Sequence, residues 1–479
     1  MSYWQNIIFP VIQNAAVSVQ NQQNSFEAAL SEIESIENLE QKTNQAVYVL
    51  GNMAVYPPNG YFYSKILEKV FLEYSKSFDL ENYAVPFLKN SFLHVVTRIY
   101  ETDGHARVIE QWLDITRNKY LNHIVVLGQD NDFPDAFKQK AGQSLIRLDY
   151  SEADIKEKAL SLRKLALQYE YIVIHTFPND PTATIAFGTE KFPRPVIFFN
   201  NSAHLFWLGK SISDIVVECD ISDKTRSKVK RNIDSFILGI PPGISPPTTA
   251  KISARKNLGI PLDKKIILTS GSFYKYPDLC GQGFDIYTLI KKIKDSVPDV
   301  FWYALVGLAN KDISSVPFFS KGFDSSWIFP AAEVNHNTAY FDYVNAADLI
   351  IDTFPMPGQS ALADAVACGR PVLSLAYVQS SYIMSSSAYC TSASDLIEKA
   401  VLVLTDESCA RRIQEETCSL YKKEHSPEQW LQKLEQCLAL LPAKHQVKDI
   451  SYEVEPKEID AFVTMLNLIY TFCRDFYDR

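Results

Sequence analysis

The feature that most constrains this chain is an alternation of short apolar runs with amphipathic segments, and it occurs twice. Between residues 91 and 243 the apolar runs are SFLHVVTRIY, HIVVLGQ, SLIRLDY, YIVIHTF, PVIFFNN, DIVVECD and SFILGIPPG. The alternation then restarts with KKIILTSGS, VFWYALVG, SWIFPA, DLIIDTF and PVLSLAY. Strands of this length separated by helices form parallel sheets that are covered on both faces. The sequence therefore predicts an α/β fold with two doubly wound domains, at residues 91–243 and 250–395.

The segments around these two Rossmann-like domains are predicted to be helical. A chain of 479 residues is too long for one hydrophobic core. Residues 1–88 form an N-terminal helical extension in which Ser25 is expected to cap a helix, and residues 396–479 form C-terminal helices. The proline-rich stretch 241–247 reads as the linker between the domains. Two such domains form a deep cleft, and ligands bind beyond the carboxyl ends of their strands.

Charge and cysteine usage limit the partners of this chain. The net charge is −9, and the densest basic run is residues 224–231. A solvated helix face explains this run, so nucleic acid is not expected as a partner; an anionic acceptor or a membrane surface stays open. The eight cysteines include no CxxC pair, which favours reduced thiols. Without a signal peptide or about twenty consecutive apolar residues, the protein is expected to be cytoplasmic with no transmembrane segment.

The most specific motif is IIDTFPMPGQSALADAVACGRPVLSL, at residues 350–375. A buried strand is followed by a loop, and a helix begins near Gln359 and Ser360. Gly358 allows a ligand to approach the backbone, while the start of the helix offers free N–H groups that suit a diphosphate. Asp364 lies about one turn inside this helix, where its carboxylate could accept both hydroxyls of a ribose. A capped α/β turn with a solvated Asp364 is the simpler interpretation of the same pattern.

This motif resembles the donor-binding segment of GT-B glycosyltransferases, and among them the protein O-GlcNAc transferase group and its bacterial relatives. The resemblance implies that Asp364 binds the nucleotide ribose and that the small residues before it bind the diphosphate. Retaining GT-B enzymes usually carry two glutamates eight positions apart in this stretch. The position eight residues before Asp364 is Met356, which favours inversion. The doubled Gly-Gly and Thr-Thr of the group are replaced by PGQSA.

Two further donor segments follow from the resemblance. Residues 268–275 end a strand in a Gly-Ser turn, and GT-B enzymes commonly place a cation on this loop to stabilise the leaving diphosphate. The resemblance also implies that the base lies along residues 327–333. The donor-binding residues expected from these segments are Gly271, Ser272, Tyr274, Lys275, Ala332, Glu333 and Tyr340. A surface lysine on a turn is the alternative for Lys275.

The acceptor side is expected near the segment 97–108, which follows the first strand. Inverting GT-B enzymes often place a histidine general base on this loop, and imidazole titrates near neutral pH. His105 is therefore the predicted catalytic base, although a histidine that caps its own helix would look the same. Further expected cleft residues are Asp103, Arg107, His175 and His204. The other histidines show no comparable context. Asp130-Asn131-Asp132 matches a metal-chelating Asp-x-Asp, but it lies in a polar turn, so no metal is expected.

These observations predict a metal-independent, inverting transferase of the hexosyltransferase type. It would move a sugar from a nucleoside-diphosphate sugar, expected to be UDP-linked, to a protein or glycan acceptor, as in protein glycosylation. No cofactor is expected besides this nucleotide-sugar substrate. The N-terminal helices are the candidate surface for a partner or a homo-oligomer. The alternative is a catalytically silent GT-B co-subunit or chaperone of an active glycosyltransferase.

Overall fold

The computed structural model describes residues 3–100, 104–129, 131–148, 154–243, 248–276, 285–306, 324, 326–331, 334, 338–354, 358–375, 384–450 and 463–470. The chain forms two compact units. The N-terminal unit is built from Gln13–Pro241 together with Leu431–Tyr470, and the C-terminal unit is built on Pro242–Trp430. Where the sequence predicted four segments, the structure thus groups them into two.

The N-terminal unit contains a parallel sheet of 7 strands. Its strands are β1 (Leu88–Val96), β2 (Leu121–Val126), β3 (Leu145–Arg147), β4 (Tyr169–His175), β5 (Val196–Phe199), β6 (Ile215–Glu218) and β7 (Phe236–Ile237). The helices on this part of the chain are α1 (Tyr3–Ser35), α2 (Leu39–Val49), α3 (Lys65–Lys76), α4 (Gly104–Thr116), α5 (Asp135–Ala141), α6 (Ile155–Ala166), α7 (Thr182–Phe187) and α8 (Ile221–Arg231). The strand order is β3-β2-β1-β4-β5-β6-β7, so the order reverses between β1 and β4.

The N-terminal helices share a core with this sheet. Phe26 of α1 and Phe71 of α3 are fully buried in the same apolar cluster as Leu93 of β1. Arg163 of α6 ties these layers together, because its guanidinium donates to the carbonyl oxygens of Ser75, Phe78, Ile185 and Ala186. A buried guanidinium is tolerated when its donors are satisfied in this way. Residues 13–88 of the helical extension are therefore an integral layer of the N-terminal unit.

The expected helix start at Ser25 is wrong. α1 runs through this residue without a break, from Tyr3 to Ser35. The buried face continues upstream of Ser25, at Ala15 and Val19, with the spacing of four residues that places side chains on one face of a helix. A residue that can cap a helix does not begin one when the apolar stripe already extends upstream of it.

The C-terminal unit contains a second parallel sheet, of 6 strands. Its strands are β8 (Lys265–Ser270), β9 (Val300–Leu305), β10 (Ile328–Ala331), β11 (Leu349–Ile351), β12 (Val372–Leu375) and β13 (Tyr389–Cys390). Its helices are α9 (Lys251–Leu258), α10 (Ile286–Ser296), α11 (Thr338–Ala346), α12 (Gln359–Ala367), α13 (Ala393–Thr405) and α14 (Glu407–Glu424). The strand order is β10-β9-β8-β11-β12-β13, so the order reverses between β8 and β11. Two parallel sheets with flanking helices confirm the predicted α/β fold.

After α14 the chain returns to the N-terminal unit. α15 (Pro427–Ala439) is followed by a segment in which His445 lies 2.8 Å from Asp214 and 2.9 Å from the carbonyl oxygen of Phe187. The backbone N–H of Lys448 donates to the carbonyl oxygen of Ser211. These contacts fix the segment after α15 on the N-terminal unit. Among the described residues, no helix is both long enough and apolar enough to cross a membrane.

Candidate functional site

Two loops meet where the strand order of the C-terminal sheet reverses. β8 lies between β9 and β11, so the segments that follow β8 and β11 emerge side by side. In open α/β sheets, ligands bind beyond the carboxyl ends of the strands at such a reversal. Residues 271–276 follow β8 here, and residues 352–354 and Gly358 follow β11. The sequence motifs that predicted a donor site therefore converge at one edge of the sheet.

Two glycines allow these loops to approach each other closely. A Cβ atom at Gly271 would lie 3.0 Å from Cγ2 of Thr353, and one at Gly358 would lie 3.0 Å from the carbonyl oxygen of Ser270. Both distances are shorter than the 3.5–4.0 Å at which carbon atoms pack without strain. Any larger side chain would push the loops apart. This is the sequence reason for glycine at both predicted positions.

Asp352 anchors the loop after β11, although sequence analysis did not select it as a site residue. The backbone N–H of Gly358 donates to its Oδ1 at 2.7 Å, and the hydroxyl of Ser374 donates to its Oδ2 at 3.0 Å. Burial raises the pKa of Asp352, while these hydrogen bonds and the charge of Lys275 oppose the rise. Its position directly after a buried strand was the available signal. The carboxylate thus joins three segments of the C-terminal unit.

Lys275 lies on a short 3-10 turn, Phe273–Lys275, that the core holds in place. The hydroxyl of the next residue, Tyr276, donates to the carbonyl oxygen of Leu305 at 3.0 Å. Burial lowers the pKa of Lys275 from its ordinary value, and Asp352 partly offsets this effect. Desolvation strengthens the field of a cation toward an anion that enters its surroundings. The turn therefore holds the amine of Lys275 beside the strand reversal.

α12 begins at this site, with Gly358 as the residue before its first turn. The carbonyl oxygen of Gly358 accepts the N–H of Leu362 at 2.9 Å. The first N–H groups of a helix have no intrahelical acceptor and carry the positive end of the helix dipole. Asp364 lies in the second turn and is only 4% exposed. Gln359 and Ser360 open α12, as the sequence predicted.

The remaining site predictions on these segments fall into three groups. Ser272 precedes the 3-10 turn, and its carbonyl oxygen accepts the N–H of Lys275 at 2.9 Å; Tyr274 is the central residue of that turn. Tyr340 lies on α11 and packs in the apolar core, with its ring 5.2 Å from that of Phe341. The structure therefore gives Tyr340 a packing role. Three predicted residues lie outside the described part of the chain: Asp103, Ala332 and Glu333.

At the reversal of the N-terminal sheet, two buried imidazoles pair. Nδ1 of His94 on β1 lies 3.1 Å from Nε2 of His175 on β4, and Nε2 of His94 lies 3.1 Å from Oδ1 of Asn122. Since the Asn122 amide nitrogen donates to Thr116 and Tyr120, its oxygen is the acceptor. His94 is then protonated on Nε2 and accepts from His175. The pair is a chain of two neutral rings.

Burial keeps both imidazoles uncharged. It lowers the pKa of His94 to about 4. It lowers the pKa of His175 well below its ordinary value, and positive charge on His94 or His105 would lower it further. Sequence analysis found no functional context for His94, and the structure corrects this. In the register, His94 lies opposite Val173, which is two residues before His175 on the same face of β4. Only the strand order, which the sequence does not state, reveals this pairing.

The predicted base His105 is the second residue of α4. Its ring lies edge-on to that of Phe177, with centroids 5.9 Å apart. Arg107 is half-buried on the same helix, and the half-buried His204 lies beyond the end of β5. Among the described residues, no group of three His, Cys, Asp or Glu side chains could hold a metal ion. The catalytic role of His105 stays a prediction.

Comparison with known proteins identifies the fold. No family model and no curated protein sequence matches this chain. The structure of HepE from Anabaena in complex with UDP-glucose is similar with a TM-score of 0.55 and 12% sequence identity, covering 73% of this chain and 100% of that one. A glycosyltransferase from Rickettsia africae has a TM-score of 0.54 and 11% identity, covering 74% and 99%.

A third similar structure comes from the group that the sequence motif resembles. A mutant of the O-GlcNAc transferase from Thermobaculum terrenum has a TM-score of 0.50 and 13% identity, and the match covers 88% of this chain and 81% of that one. The chain therefore has the GT-B fold, and the resemblance predicted from the sequence is confirmed at the level of the fold.

Proposed function

We propose that this protein is a glycosyltransferase that uses a nucleoside-diphosphate sugar, with UDP as the nucleotide. The observation that carries this proposal is the close approach of Gly271 to Thr353 and of Gly358 to Ser270 at the strand reversal, beside Lys275 and the start of α12. A cation and unpaired helical N–H groups are the features that recognise a diphosphate. The similar HepE structure holds UDP-glucose, which supports the choice of donor.

In this proposal, the protein's own groups stabilise the departing diphosphate. As the glycosidic bond to the diphosphate breaks, negative charge accumulates on the leaving oxygen. Lys275 and the N–H groups of α12 would oppose that charge without reorganising, which is the most effective form of electrostatic catalysis. We therefore propose that the reaction is metal-independent, and that Asp364 holds the ribose.

We further propose that transfer proceeds with inversion to a hydroxyl of a protein or glycan acceptor. Inversion requires a base that removes the proton of the attacking hydroxyl. His105 is our candidate for this base. His175 is the weaker candidate, because burial lowers the pKa of its imidazole and its ring partner is the neutral His94. Position 356, where a retaining pattern would place glutamate, is methionine.

Nucleotide binding tests this proposal directly. We expect UDP, measured by calorimetry in excess EDTA, to bind more tightly than ADP or GDP. Asp364→Ala should weaken UDP binding by about ten- to a hundred-fold, the cost of one charge-assisted hydrogen bond. Asp342→Ala is the matched control, since Asp342 is another buried helical acid of this unit and bonds Asn257. Absence of binding by all three nucleotides would refute the proposed function.

A further inference from the structure

The loop after β1 is held from both sides by polar side chains. On one side, the side chain of Gln129, which follows β2, accepts the backbone N–H of Ile99 at 2.8 Å and donates to the carbonyl oxygen of Ile99 at 3.0 Å. On the other side, the hydroxyl of Thr97 donates to Oδ2 of Asp180 at 2.6 Å, in the segment after β4. These bonds join the ends of three neighbouring strands, so the loop after β1 has a defined position.

The same hydroxyl fixes the backbone of Phe177. Oγ1 of Thr97 accepts the N–H of Phe177 at 2.9 Å, and the N–H of Asp180 donates to the carbonyl oxygen of Phe177 at 3.0 Å. Oδ1 of Asp180 accepts the N–H of Thr182 at 2.9 Å. Thr97 therefore uses its hydroxyl both as donor and as acceptor, and it closes a ring of hydrogen bonds between the ends of β1 and β4.

The aromatic ring of Phe177 contacts both the loop after β1 and the start of α4. It lies edge-on to His105, with centroids 5.9 Å apart and an interplanar angle of 74°. It stacks on Tyr100, with centroids 6.3 Å apart and an interplanar angle of 20°. Both separations lie within the range of about 4.5–7 Å at which aromatic rings attract each other. An imidazole packed edge-on against a fixed ring has fewer side-chain orientations available to it.

We propose that Phe177 is a positioning residue for His105, and that Thr97 and Asp180 hold Phe177 in place. This inference rests on the proposed function, in which His105 is the general base. A general base acts only when its ring nitrogen lies within hydrogen-bond reach of the proton that it removes. Phe177 acts through His105: its ring limits the rotation of the imidazole and so sets the direction in which the ring nitrogens point.

The test removes one hydroxyl group. Thr97→Val keeps the shape of the side chain but leaves Asp180 and Phe177 without the hydroxyl that joins them, whereas Thr97→Ser keeps it. For hydrolysis of UDP-glucose, with water as the acceptor, Thr97→Val should lower kcat by about tenfold or more and leave KM within about twofold, because a misplaced base affects only the chemical step. Thr97→Ser should recover most of this loss in kcat.

Proton–carbon NMR of the histidine rings gives a second readout that does not depend on turnover. The His105 signal is identified by its absence from the spectrum of His105→Gln. Because an aromatic ring shifts the resonances of groups packed against it, the Cε1–H signal of His105 should move in Thr97→Val and in Phe177→Leu. In Thr97→Ser it should stay near its position in the parent.

Ser91→Ala is the matched control at the opposite end of β1. The hydroxyl of the buried Ser91 donates to the carbonyl oxygen of Leu88 at 2.6 Å and accepts the N–H of Glu170, on β4, at 3.1 Å. It thus also links β1 to β4 through one donated and one accepted bond. Its substitution should lower the melting temperature but leave kcat and the His105 signal as in the parent. A general loss of stability would give Thr97→Val the pattern of this control.

The outcomes separate the inference from the proposed function. A parental kcat in Thr97→Val, or an equal loss in Thr97→Val and Thr97→Ser, refutes the positioning role and leaves the donor site standing. If the parent binds no UDP, both are refuted. If the parent binds UDP but does not turn over UDP-glucose, the NMR signal decides, and an unmoved His105 signal in Thr97→Val overturns the inference. Should Thr97→Val fail to fold, Phe177→Leu decides by the same two measurements.

Discussion

The two sheets of this chain reverse their strand order in the same manner but carry opposite chemistry at the reversal. In the C-terminal unit, the loops after β8 and β11 come close at Gly271 and Gly358, beside the amine of Lys275. In the N-terminal unit, β1 and β4 bring together His94 and His175, two neutral imidazoles packed against aromatic rings. Because the topology is shared, the difference comes from a few side chains at strand ends.

The strand reversal of the C-terminal sheet is thus suited to an anion, and that of the N-terminal sheet is suited to an uncharged group. A cation beside a helix start attracts phosphate oxygens. Buried imidazoles with lowered pKa values offer hydrogen bonds without charge. In the proposed function, the C-terminal unit would therefore bind the donor and the N-terminal unit would act on the acceptor hydroxyl.

The largest expected effect concerns the acceptor chemistry. His105→Ala should bind UDP as the parent does but lose sugar transfer by about a hundredfold or more, the contribution of a general base. His175→Ala should lose less, since its ring lacks a charged partner in the His94 pair. Initial rates at saturating donor measure both. Full activity of His105→Ala together with an inactive His175→Ala would move the base from α4 to the buried imidazole pair of β1 and β4.

The pH dependence of stability tests whether His94 and His175 are uncharged in the folded protein. The folded pKa of His94 is about 4, below the unfolded value of about 6.5. As pH falls below about 6.5, the unfolded chain binds a proton that the folded chain does not, so stability falls. Between pH 6.5 and 5 this amounts to about 2 kcal/mol of unfolding free energy at 1.36 kcal/mol per unit.

Urea unfolding of His94→Gln measures this contribution. The variant should lose less stability than the parent over the same pH interval, because the titrating group is gone. His123→Gln is the control: His123 is half-buried on β2, and burial lowers its pKa as well, but its smaller burial predicts a smaller change. If His94→Gln and the parent lost stability equally as the pH falls, His94 would bind a proton as readily in the folded protein as in the unfolded chain.

The smallest predicted effect compares one glycine from each unit. Gly358→Ala places Cβ 3.0 Å from the carbonyl oxygen of Ser270, whereas Gly128→Ala in the N-terminal unit places Cβ 3.8 Å from that of Thr97, an ordinary contact. Overpacking of this kind costs about 1–3 kcal/mol, so Gly358→Ala should weaken UDP binding about tenfold. Gly128→Ala should bind UDP as the parent does. Equal UDP affinities in the parent and both variants would show that the close contact at Gly358 does not affect nucleotide binding.

Much of this architecture could be predicted from the sequence. The apolar runs predicted β1 to β12, and the strand–loop–helix pattern placed the start of α12 at Gln359. These features are encoded locally, by periodicity, glycine and proline. β13 was missed because its two residues, Tyr389 and Cys390, carry no periodic signal.

The rest depends on contacts between distant residues. The sequence motif ended its strand at Asp352 but could not show that Ser374, 22 positions later, shares its carboxylate. His94 has no functional context in the sequence, and only the strand order sets it beside His175, 81 positions away. Tyr340, a predicted donor-binding residue, lies in the apolar core on α11, and its donor role stays a prediction. Each of these outcomes is decided by tertiary packing.

Hydrogen–deuterium exchange with and without UDP would locate the donor site, because it reports on both units in one measurement. We expect saturating UDP to protect the backbone amides of peptides that cover residues 271–276 and 358–364, where the loops meet and α12 begins. Peptides covering β1, β4 and the first turn of α4 should exchange as they do without ligand. Protection confined to the N-terminal unit, or no protection anywhere at a saturating concentration, would contradict the assignment of the donor site.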